Sequence, residues 1–263
     1  MAKGEKLELI ARAAQAAGVA PTTLTLAMVM NGANPGMVVT ALVTVGMSAN
    51  AVVSAAISMG ANVPSVTKAA VAAGADSTSL VTALVTAGVS ANVVATAAIS
   101  AGANVQMVTK AAVAAGADSA SLVTALVTAG VPANAVAAAA ISAGANVQTV
   151  TQAAVAAGAN STSLVTALVA AGVPSNAVVS AAVSSGANPQ SVSNAAISAG
   201  ADPTSVLAAT AAGQQGPQNT ANQQTTSPPP NLAVPSFPRT GLDSSRSSTV
   251  SGGSGNGSNS SRS

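Results

Sequence analysis

The sequence predicts an all-α solenoid built from fifteen consecutive 14-residue units, each a single short helix, over residues 1–213, with a tail of different composition over 214–263. Three observations predict it. Glycines fall at a constant step of 14 from Gly4 to Gly200, fifteen in all. The residues between them keep one helical stripe of aliphatic and alanine side chains. A longer identity lies above the short one: SLVTALV recurs at residues 79–85, 121–127 and 163–169, a period of 42.

The glycine comes first because it sets the period. Take it as position 1 of each unit. A helix that ends sharply needs a residue in the left-handed conformation just past its last turn, and only glycine enters that region without a Cβ penalty. Position 3 is then often Asn or Asp: Asn34, Asn62, Asp76, Asn104, Asp118, Asn146, Asn160, Asn188 and Asp202. Such a side chain accepts a hydrogen bond from a free first-turn N–H and caps the helix. Pro21, Pro35, Pro64, Pro132, Pro174, Pro189 and Pro203 all fall at the start of a unit. There the missing N–H of proline costs little.

The body of each unit follows. Position 7 is aliphatic in every unit, as in Leu80, Val94 and Val108, and position 10 is always Ala. Positions 7, 10, 11 and 14 have the i, i+3, i+4, i+7 spacing of one buried helix face. Each helix is therefore about ten residues and ~15 Å long, too short to stand alone in water. It must pack on neighbours, and alanine at the contact lets helices approach closely.

The units come in three kinds: GADSTSLVTALVTA (74–87), GVSANVVATAAISA (88–101) and GANVQMVTKAAVAA (102–115), an order that recurs along the chain. The 42-residue period predicts three helices per superhelical turn, with like units stacked on three walls. Fourteen residues are also two heptads, so a continuous coiled coil is the rival fold. Its seams want Leu and Ile flanked by charges, whereas here Gly with Asn, Asp or Pro marks the unit boundaries.

The first unit, residues 4–17, holds the most charge and is expected to cap the N-terminal end. Met28, Met30, Met37 and Met47 are expected to fill the core near that end. The tail is rich in Gln, Pro, Ser and Gly and is expected to be disordered. Within it, FPRTG (Phe237 to Gly241) is similar to the short sorting motif by which some bacteria attach proteins to the cell wall. That signal also needs an apolar segment and a basic end, and here Ser, Gly and Asn follow instead.

Composition narrows the function classes. Only 5% of residues are charged, Phe237 is the single aromatic, and Cys, His and Trp are absent. Residues 4–213 carry four cations (Lys6, Arg12, Lys68, Lys110) against five anions (Glu5, Glu8, Asp76, Asp118, Asp202), a net of minus one. With no basic patch to neutralise phosphates and no aromatics to stack on bases, nucleic-acid binding is not expected. Apolar runs are broken within each unit, short of the ~20 residues that span a bilayer. No secretory signal is evident in MAKGEKLELIARAAQAAG. Zero Cys excludes disulfides and thiolate metal sites, and no metal or cofactor is expected.

No paired carboxylate, nucleophile elbow or phosphate loop is visible, so the chain is expected not to be an enzyme. The pairs Lys68/Asp76 and Lys110/Asp118 recur as Gln152/Asn160, which fits a solvated surface and an exchangeable cap. The corner Asn residues form ladders for which capping is a sufficient role. The most specific surface feature is a set of threonines at positions 9 and 13 of the first kind of unit: Thr40, Thr44, Thr82, Thr86, Thr124, Thr128 and Thr166. With like units stacked, they would form a flat Thr-rich wall able to match an ordered lattice such as ice. The leading expectation is a non-enzymatic structural or interaction protein, an extracellular or cell-surface rod, matrix or fibre component. Its partners would be itself, stacked head to tail, or surface and matrix components. The alternative is a ligand- or ice-binding protein using the Thr wall.

Overall fold

The computed structural model describes residues 3–214. The expected tail, FPRTG included, lies outside the described residues apart from Gln214, the last residue of the final helix. The described residues form fifteen helices and no strand. The first eight are α1 (Lys3–Ala16), α2 (Pro21–Met30), α3 (Pro35–Thr44), α4 (Ala49–Ser58), α5 (Val63–Ala72), α6 (Ser77–Thr86), α7 (Ala91–Ser100) and α8 (Val105–Ala114). The others are α9 (Ser119–Thr128), α10 (Ala133–Ser142), α11 (Val147–Ala156), α12 (Ser161–Ala170), α13 (Ser175–Ser184), α14 (Pro189–Ser198) and α15 (Pro203–Gln214). From α2 to α14 each helix has ten residues, so the coiled-coil alternative is excluded and one unit is one helix.

The corners are made as the glycine spacing requires. At Gly88, with φ +85°, the glycine N–H donates to the Val85 carbonyl and the Val89 N–H reaches back to Leu84, each at 2.9 Å. These paired bonds satisfy carbonyls that the end of a helix leaves free, in the pattern known as a Schellman motif. Gly18 through Gly200 all have positive φ. Gly4 does not belong with them, because α1 begins at Lys3 and runs through it. The first of the fifteen glycines therefore turns no corner.

The caps also form. All nine Asn and Asp side chains at position 3 accept from the backbone N–H three residues on, Asn104 from Met107 at 3.0 Å and Asn160 from Ser163 at 2.9 Å among them. Pro132 and Pro174 correct one detail: they sit at the cap position itself, just outside the helix, where their carbonyls accept first-turn N–H groups.

Packing overturns the three-per-turn geometry. Every helix packs on the helix two places along, most also on the next, and none packs extensively on the one three places along. The solenoid therefore has two rows, odd-numbered helices in one and even-numbered in the other, and its structural repeat is a helix pair. The physical reason is that the three kinds of unit share one contact chemistry, Val, Leu and Ala, at the same positions. Any unit can pack on any other, so the corner alone decides which helices meet. Each corner folds the chain back, and a third helix returns beside the first. The 42-residue identity is real in sequence but does not set the spatial period: a unit of one kind regains the same row only after six helices, as α3 and α9 do.

The buried face also differs from expectation. Position 8 is buried from Ala11 through Ser193, while position 14 is never buried from Ala17 through Ala199 because it is the helix C-cap. Each helix has two buried flanks, and the ends of the solenoid identify them. In α1, the first of the described helices, Ile10 at position 7 is 51% exposed while Ala11 at position 8 is fully buried. In α15 the order reverses: Val206 at position 7 is fully buried and Leu207 at position 8 is 63% exposed. At the two terminal helices position 7 thus faces backward along the chain and position 8 forward, while in the helices next to them Leu24 at position 7 and Ser193 at position 8 are already covered. Position 10 follows 7, since Ala13 and Ala27 are exposed in the first two helices and Ala209 is buried in the last.

The core is one continuous cluster of Leu, Val and Ala with two Met, and Leu42, Leu80, Leu84, Leu122, Leu126, Leu164 and Leu168 are its largest fully buried members. Of the methionines, Met28 and Met47 are buried as expected, but Met30 and Met37 are exposed. The first unit does present Glu5, Lys6 and Arg12 to solvent. Its outer side nonetheless also bears Leu9 and Ile10, both more than half exposed, so it is not a uniformly polar cap.

Candidate functional site

The threonines singled out in the sequence are all exposed, but the two-row packing separates them. Thr40, Thr44, Thr124 and Thr128 lie on α3 and α9 in the odd row, with α5 and α7 between. Thr82, Thr86 and Thr166 lie on α6 and α12 in the even row, with α8 and α10 between. Read along the odd row from α1 to α11, position 9 is Arg12, Thr40, Lys68, Thr96, Thr124 and Gln152. Along the even row from α2 to α12 it is Leu26, Ser54, Thr82, Lys110, Ala138 and Thr166. Neither is a uniform hydroxyl array, and the expected Thr wall is not the arrangement this packing produces. Two of these hydroxyls are also engaged: Thr40 donates to the Gly36 carbonyl at 3.0 Å and Thr166 to Thr162 at 2.9 Å.

A different hydroxyl column escaped the sequence reading. Position 8 of the third kind of unit is Thr25, Thr67, Thr109, Thr151 and Ser193, all buried. Thr25 donates to the Pro21 carbonyl at 2.7 Å, and Ser193 shares a 2.7 Å bond with Thr210. The hydroxyls of Thr67, Thr109 and Thr151 are buried without a partner. Their 42-residue spacing is legible in the sequence; their burial is not, because position 8 lies outside the single helical stripe of positions 7, 10, 11 and 14.

The surface between odd-row helices is grooved. One hollow of about 360 Å³ is lined by Pro64 and Lys68 of α5, Val93, Thr96 and Ala97 of α7, and Ala125 of α9. Another of about 290 Å³ is lined by Glu8 of α1, Met37 and Thr40 of α3, and Ser65 and Ala69 of α5. They arise where alanine at position 10 leaves space beside larger neighbours at positions 5, 6 and 9. The first holds one ionisable side chain, Lys68, and the second one, Glu8. Among the described residues no three His, Cys, Asp or Glu lie together to hold a metal, and no helix is long and apolar enough to cross a membrane.

The aspartates of the Lys/Asp pairs are engaged as caps. Asp76 accepts from the Ser79 N–H and Asp118 from the Ser121 N–H, at 2.6 and 2.9 Å. Hydrogen bonds from Ser79, first from its backbone, hold the Asp76 carboxyl below its ordinary value; for Asp118 the Ser121 side chain leads and its backbone follows. Thr204 and then Ser205 lower Asp202 in the same way. A carboxylate held low stabilises the fold above the pKa of the unfolded chain and loses that contribution as pH falls through the folded value. The expected result is a loss of stability on acidification below pH ~4 that is reduced when Asp76 and Asp118 are both replaced by Asn. Asn160 already fills this role at the equivalent place. Urea midpoints between pH 2 and 7 check it; parallel curves for wild type and variant would remove the aspartates as the cause.

A scan against protein-family models finds no match to this chain, and a search of curated proteins finds none.

Proposed function

We propose that the protein is a non-enzymatic structural or interaction protein, an extracellular or cell-surface rod, matrix or fibre component. The observation that carries this reading is the run from Ser119 to Ala201. It contains no charged residue yet continues a single core through α9 to α14. The exposed side chains of that stretch are mostly small Ser, Thr, Asn, Gln and Ala. A surface of this kind suits repeated low-specificity contact with itself or with surface and matrix material. Its extent is set by how many units are stacked, because each helix contacts only near neighbours. A chain that gains length by adding interchangeable units suits a spacer or scaffold.

The test is location. An antibody raised against the helical region is expected to label intact source cells from outside, or their matrix, in immunogold electron microscopy. Label confined to the cell interior would overturn the reading.

A further inference from the structure

We infer that the two ends of the solenoid are halves of one contact, so that copies of this chain join head to tail, α14 and α15 of one copy to α1 and α2 of the next. This rests on the structural reading above but fails separately, since a monomeric surface rod would sink it and leave that reading standing.

The argument starts from the flanks. At the terminal helices position 7 faces backward and position 8 forward. At internal helices both are buried, as in Leu122 and Val123 of α9. The N-terminal end leaves most of a backward flank open: Ile10, Ala13 and, from α2, Ala27 are exposed, while Leu24 of α2 is already covered at 8% exposed. The C-terminal end leaves most of a forward flank open: Leu207 and Ala211 of α15 are exposed and Ile197 of α14 is 38% exposed, while Ser193 of α14 is covered by Thr210. These are the same two surfaces that meet between helices throughout the molecule. Joining them continues an interface the fold already makes many times.

Row order permits the junction. An incoming α1 takes the place of a sixteenth helix, in the even row upon α14, and the incoming α2 then lies in the odd row upon α15. Neither end turns away from the other through a corner: α1 runs straight through Gly4, and α15 runs on to Gln214. The contact is heterologous, one flank meeting a different flank, so it does not close on itself and yields open chains. An exposed leucine and isoleucine set in alanine form an apolar patch of the kind that small uncharged side chains pack against closely.

The experiment uses the full chain. Wild type, Ile10→Asp, Leu207→Asp and the mid-solenoid control Met107→Asp are compared by sedimentation velocity over a wide concentration range and by negative-stain electron microscopy. Ile10, Leu207 and Met107 are all about half exposed or more, and superimposable circular dichroism spectra establish that each variant is folded. Wild type and Met107→Asp are expected to form oligomers that lengthen with concentration. Each end variant alone is expected to remain monomeric. Their equal mixture is expected to stop at dimers, because the intact C-terminal end of Ile10→Asp meets the intact N-terminal end of Leu207→Asp and both outer ends are blocked. Three outcomes would overturn the inference: a monomeric wild type at every concentration, end variants that associate as wild type does, or an Ile10→Asp variant that dimerises alone through its C-terminal end.

Discussion

Replacing Thr67, Thr109 and Thr151 together by Val is expected to stabilise the protein by roughly 3 kcal/mol or more. Each hydroxyl is fully buried and unbonded. Removing a polar group from water without a partner costs about 1–3 kcal/mol, and valine has the same branched shape without that cost. The three sites lie on α5, α8 and α11, far enough apart in the solenoid for their effects to add. The melting temperature is expected to rise by several degrees, at roughly 2–4 °C per kcal/mol for a chain of this size. Thr25→Val is the internal control: its hydroxyl already donates to the Pro21 carbonyl, so the same substitution there is expected to bring no gain. A triple variant that melts at or below the wild-type temperature would mean the three hydroxyls find partners, and the packing assigned to position 8 would be wrong.

Leu122→Ala is expected to cost 2–5 kcal/mol, the range typical of a leucine removed from a packed core. Leu122 is fully buried at position 7 of α9, near the middle of the solenoid. Because each helix packs chiefly on those one and two places away, the damage should stay local. Amide hydrogen exchange is expected to accelerate from α7 to α11 and to remain unchanged in α1 to α4. Leu207→Ala removes the same atoms from an exposed site at the end and is expected to change stability by less than about 0.5 kcal/mol in dilute protein. If Leu122→Ala cost no more than Leu207→Ala, or if exchange rose evenly along the chain, the nearest-neighbour description would fail.

Much of this fold was legible in the residues. Fourteen of the fifteen glycines mark corners, and all nine position-3 Asn and Asp residues cap the helices they precede. The Thr wall failed for a definable reason. Its threonines were identified correctly as exposed, but their alignment depended on α3, α6, α9 and α12 stacking directly, and a two-row solenoid places them alternately on opposite rows. The buried Thr column failed through the converse error: Thr67 and its equivalents are polar, and the single-stripe reading left position 8 outside. A helix held between a predecessor and a successor needs two apolar flanks, and a one-sided amphipathic template has no place for the second.

The residues alone therefore determined everything that closes within about six positions of chain: where helices start, how long they run, and how they end. Those features rest on hydrogen bonds between near neighbours, and such bonds need only the right side chain at the right spacing. Which helices meet, how many make a turn, and which side of each is covered were decided by the tertiary structure. Units so alike in their contact surfaces pack interchangeably, so the sequence period carries no information about the spatial one, and the direction of each corner settles it.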